Sequence, residues 1–255
     1  MFFMFFPQSA FSWSDSLNVK EEIWYVKKSP HFSLYFKENI PAVKIDRYLK
    51  TAEGYYDSIC KKLHFKKFNF WTWQDRCKIY VYIFRKDYTD NTSRPEWSRA
   101  SANFKERRID AFLSDKGFET TLIPHEMGHL IFREFTGGKT PLPLWLEEGV
   151  ACFVEEEQCS RLNFAKKLVK SSIYIPMKKL AGLDSDTIVV PELFYAQSAS
   201  IVNYLITGFD EYKFLQLCQA LKDRKGWWRS LQQIYGFDDF DDFELKWKTY
   251  VQGEE

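Results

Sequence analysis

The chain changes character near residue 118, and that change limits the folds open to it. Before it, apolar residues mostly alternate or cluster as they do in strands. After it, they recur at three- and four-residue intervals, as they do on helices. Residues 23–26, 32–36 and 78–84 read as strands, and 100–104 and 109–113 as two shorter ones. Ile45, Leu49, Ala52, Tyr56, Ile59 and Leu63 form one face of a helix over 41–63, with Pro41 suited to its first turn. The stretch 87–97, with Asp90, Asn91, Ser93 and Pro95, reads as a loop. Beyond 118, helices are expected over 120–135, 144–155, 161–170, 191–207, 210–222 and 239–251. Strands first and helices later indicate an α+β fold. A mixed β/α half (20–118) and a helical half (119–255) are expected to form a single domain over 20–255.

Composition excludes several classes. Apolar residues make up 45% of the 255, so the chain can bury a sizeable core. Aromatic residues reach 18%, and a core filled with rings is the expected use. Lys+Arg is 36 against 35 Asp+Glu, without the basic excess of a nucleic-acid-coating protein, so no nucleic-acid partner is expected. No apolar run approaches the length of a transmembrane helix. The five cysteines form no C-x-x-C pair, so neither a thiolate zinc site nor a redox motif is expected, and most should be free buried thiols. Residues 1–19 begin with the apolar Met1-Phe2-Phe3-Met4-Phe5-Phe6 but lack a basic n-region. They read as a leader or a frayed segment, with export to the periplasm or the exterior favoured over the cytoplasm.

The chemistry is concentrated in His125-Glu126-Met127-Gly128-His129. Two histidines four residues apart on a helix project from one face and can bind one tetrahedral zinc ion. Glu126 lies beside them and can take the proton of a water that the metal has acidified. With this composition the pattern arises by chance in about one chain in two hundred. Thr120 or Thr121 can cap the helix at one end, Pro124 fits its first turn, and Gly137-Gly138 stops it. Gly128 would let another element approach the helix closely.

A catalytic zinc site needs a third protein ligand. No histidine follows His129, so a carboxylate must serve, and the best source is Trp145-Leu146-Glu147-Glu148-Gly149-Val150-Ala151. A tetrahedral intermediate also needs a donor opposite the metal. A tyrosine is the natural choice, with Tyr174, Tyr195, Tyr204 and Tyr212 available.

These segments resemble the gluzincin metallopeptidases, in particular the aminopeptidase-N-like branch and the shorter peptidase MA-like domains. The zinc helix motif is one point of likeness. The W-L-x-E-G-x-A box at Trp145 to Ala151 is the second, and Phe194-Tyr195-Ala196-Gln197 through Tyr204-Leu205 is the third. The resemblance implies a zincin-like fold and one zinc held by His125, His129 and Glu148. It further implies Glu126 as general base and Tyr195 as oxyanion donor. The implied activity is hydrolysis of peptide or protein substrates, with a zinc-bearing but non-catalytic binding or assembly protein as the alternative. A substrate would lie along an edge strand from 100–113.

The chain departs from this pattern in two places. The G-x-M-E-N segment that holds a substrate's free amine is missing. The position one turn after Glu148, where some gluzincins carry an Asp that supports a zinc histidine, is Cys152, expected to pack behind Glu148. Glu147 and Glu155 are the candidates to orient the imidazoles in its place. His31 and His64 read as structural, Lys61-Lys62 and Lys66-Lys67 as a solvated face. Gly137-Gly138-Lys139-Thr140 is not a phosphate loop, because Arg133 stands where the first glycine would be.

Overall fold

The structure, a computed structural model, describes residues 23–65, 71–72, 74–96, 98–113, 117–138, 141–210 and 212–253. The segment 1–19, Lys66-Lys67 and Lys139-Thr140 lie outside the described residues. The fold is α+β: a five-stranded mixed sheet, then a helical half.

The strands are β1 (Tyr25–Lys28), β2 (Phe32–Phe36), β3 (Cys77–Tyr82), β4 (Ala100–Asn103) and β5 (Arg108–Phe112), in the spatial order β1-β2-β3-β5-β4. β2, β3 and β5 run parallel; β1 and β4 are antiparallel edges. The parallel β2–β3 pair is bridged by helix α1 (Ala42–Lys62), whose buried stripe includes Ile45, Leu49, Ala52, Tyr56 and Ile59. Phe32, Leu34, Ile79, Val81, Ile109 and Ala111 line the buried face of the sheet.

Residues expected to be a loop instead include helix α2 (Arg85–Thr92), with Tyr88 as its one buried residue. Local bonds hold it: Lys86 pairs with Asp90, and Asn91 and Thr92 donate to the carbonyls of Asp87 and Tyr88. A stripe of one apolar residue carries no periodicity to detect.

The helical half comprises α3 (Ile123–Thr136), α4 (Leu144–Val154), α5 (Gln158–Lys170), α6 (Met177–Leu180), α7 (Pro191–Thr207), α8 (Lys213–Lys222), α9 (Trp227–Tyr235) and α10 (Phe240–Gln252). Neither Thr120 nor Thr121 caps α3. Both lie in a π-helical turn, Phe118–Leu122, which follows Gly117 at φ 77° and runs straight into α3. Pro124 sits in the first turn of α3, and Gly137 ends it at φ 84°. α4 is buried nearly all round, between α3 and α7. One buried cluster draws on both halves, from Phe32 to Val251. Among the described residues no helix is long and apolar enough to cross a membrane.

Lys62 is not the solvated residue it was read as: it is half-buried, over the Phe153 ring. His31 is structural as read, stacked on Tyr56 and bonded to Glu53.

Candidate metal centre

Helix α3 turns His125 and His129 to the same side. Their Nε2 atoms are 3.3 Å apart. Glu148, in the second turn of α4, reaches into the same point: its Oε2 lies 3.4 Å from Nε2 of His125 and 3.6 Å from Nε2 of His129. A tetrahedral ion with bonds of about 2.0–2.1 Å sets its ligand atoms about 3.3–3.4 Å apart. The three atoms therefore form one face of a tetrahedron of the right size for zinc, and could hold it with a position left open. Glu147 turns away and pairs with Arg133.

Two glycines bring the helices this close. A Cβ on Gly128 would stand 2.8 Å from Val154 Cγ2 and 3.1 Å from Ala151 Cα, so α3 and α4 touch through bare backbone. A Cβ on Gly149 would stand 2.6 Å from the Ser198 carbonyl oxygen, so α4 is pressed equally tightly on α7. That second contact also brings the second turn of α7, with Tyr195, to the site.

The residue that orients His125 is Glu155, which the sequence offered only as one of two weak choices. Its Oε1 lies 2.8 Å from Nδ1 of His125, and its side chain is fully buried. Arg161 of α5 grips the same carboxylate at 2.9 and 3.0 Å. A carboxylate held by a guanidinium only accepts, so Nδ1 of His125 is the donor and Nε2 is the nitrogen left for a metal, which would displace any proton there. Cys152 does not simply pack behind Glu148. Its buried thiol lies in the same cluster as His125 and Glu155. Arg161 had no signal in the sequence, because it sits on a different helix and belongs to no spaced motif.

The surrounding groups favour positive charge at this point, a proton on the imidazoles or a metal ion in its place. For His125, burial opposes the charged form, but Cys152, Glu148 and Glu155 outweigh it and raise its pKa well above the usual value. Glu148 is held well below the carboxylate range: burial opposes this, and hydrogen bonds from both histidines overcome it. Glu126 has its pKa raised by burial, against the attraction of His125, His129 and Arg94. Tyr195 is half-buried, and burial together with the charge of Glu148 pushes its phenol up to about 12. It therefore remains a donor across the neutral range.

No curated protein matches the chain significantly. Among solved structures it is similar to the M1 zinc metallopeptidase from Deinococcus radiodurans, with 13% identity and a TM-score of 0.48 over 89% of this chain and 49% of that one. The chain thus spans about half the length of that enzyme. The family model of the Peptidase MA superfamily matches residues 72–253, from the central strands through α10. That span takes in both histidines, Glu148 and Tyr195, and the chain belongs to the Peptidase MA superfamily.

Proposed function

We propose that the chain is a zinc-dependent peptidase, with His125, His129 and Glu148 as the metal ligands. The supporting observation is the spacing of their three ligand atoms, 3.3, 3.4 and 3.6 Å, which matches the edge of a tetrahedral zinc site. Zinc bound there supplies Lewis acidity, acidifying water and polarising the scissile carbonyl. Glu126 accepts the proton of the attacking water and passes it to the leaving amine. Its burial raises its pKa and favours acceptance of that proton. Tyr195 donates its hydroxyl to the oxyanion of the tetrahedral intermediate. Glu155 and Arg161 hold His125 in the productive tautomer. The peptide lies extended along the free edge of β4, which packs beside α3.

Glu126→Gln tests the chemistry separately from binding. Gln keeps the shape of the side chain but cannot take the proton, so the variant should fold, retain zinc and fail to cleave a broad peptide library that the wild type cleaves. A fully active Glu126→Gln protein would refute the mechanism. A metal-loaded wild type that cleaves nothing would favour a binding role for the same site.

A further inference from the structure

The segment that leads into β4 carries an exposed cation, Arg94. The ring of Phe104, just past the end of β4, lies against Gly138 at the end of α3. Arg107, at the start of β5, pairs with Glu134 of α3 at 2.9 Å. α3 therefore runs back along β5 and in the direction of β4. Stepping back from Phe104 to Ala100 covers about 13 Å of strand. The same length of α3, measured back from Gly138, is about nine residues and arrives at the level of His129. The described residues before β4, 93–96 and 98–99, therefore lead into the strand at the end that lies level with His129.

That loop is fixed at several points. Ser93 turns it at φ 54°, and the backbone N–H of Arg94 bonds Thr92 Oγ1. Arg85 holds the carbonyl of Glu96, and Tyr88 bonds Ser98. Arg94 itself is exposed, and among the described residues it makes no ion pair. Its charge is close enough to act on Glu126. A peptide added to β4 in the antiparallel sense, the more stable ladder, runs its C-terminal end toward Ala100 and hence toward Arg94.

We propose that Arg94 anchors a carboxylate on the C-terminal side of the scissile bond, so that substrates with an anion a short way beyond the cleavage point are favoured. The chemistry is that of a planar guanidinium on a carboxylate, which pairs through two parallel hydrogen bonds. The proposal rests on the peptidase reading for its register, because the carboxylate is placed relative to the bond that Glu126 attacks.

The test uses the zinc-loaded full chain and three fluorescent pentapeptides: one with a free C-terminal carboxylate, its amide, and the amide with Asp as last residue. Binding is read by anisotropy and cleavage separately. We expect the free acid to bind about 10- to 100-fold tighter than the plain amide, the range for losing a charge-assisted pair. Arg94→Gln should erase that ratio by weakening the acid alone, and Arg99→Gln, in the same loop, should preserve it. The Asp amide tells a side-chain carboxylate from a free terminus. Equal binding of acid and amide by the wild type overturns the proposal. So does absence of binding by every peptide, an equal loss for both peptides in Arg94→Gln, or loss of the ratio in Arg99→Gln. An intact acid preference without cleavage would instead count against the peptidase reading and leave the anchor standing.

Discussion

Glu155 decides which nitrogen of His125 faces the metal position. It does so from just outside α4, at the residue where the chain leaves the helix with extended backbone (φ −61°, ψ 159°). Helical periodicity does not extend to such a residue, which is why spacing alone left Glu155 level with Glu147 as a candidate. The two histidines and Glu148 were legible, because fixed offsets on two helices set where they point. We expect Glu155→Gln to weaken zinc affinity by about 10- to 100-fold, the usual effect of losing a residue that orients a ligand. Competition with a chelator measures it. Glu156→Gln is the control, because Glu156 bonds Tyr55 instead, and affinity there should not change. Tyr195→Phe keeps the ring and removes the donor, so kcat should fall by about 10²–10³ with KM nearly constant. A loss of thermal stability with normal kcat would make Tyr195 a packing residue. Tyr204, buried among Phe209, Phe237 and Tyr250, provides that comparison as Tyr204→Phe.

At the scale of elements, the site depends on how closely α3, α4 and α7 approach. Gly149→Ala should be destabilising: Ala favours a helix by about 1 kcal/mol, but the new methyl meets fixed backbone, and overpacking costs about 1–3 kcal/mol. Gly54→Ala, on the exposed side of α1 with nothing within 4 Å, should stabilise by up to about 1 kcal/mol. Urea melts of the two variants, moving in opposite directions, would check both. The elements missed in the sequence differ in kind. α2 buries only Tyr88 and is held by its own polar side chains, so no apolar pattern exists to find. α6 has four residues, too few for a period. α9 is different: Trp227, Trp228, Leu231, Ile234 and Tyr235 recur at helical spacing, so its signal was available. At the start of α3, capping threonines were expected, but the π-helical turn passes the chain into the helix without a cap.

For the molecule as a whole, the change of pattern near residue 118 marks where the sheet ends and the helical half begins, yet the buried cluster crosses it. We therefore expect the wild type to unfold in one transition in calorimetry, and separate melting of the 20–118 half would contradict a single unit. Zinc in excess should raise the transition temperature, because a ligand that binds only the folded state stabilises it by mass action. His125→Ala should lose that rise. The most direct measurement is the metal content of the wild-type chain purified without chelators. We expect about one zinc per chain, as for a site with three protein ligands. Protein that folds normally but carries no stoichiometric transition metal, and takes up none on addition, would contradict the metallopeptidase reading at its base.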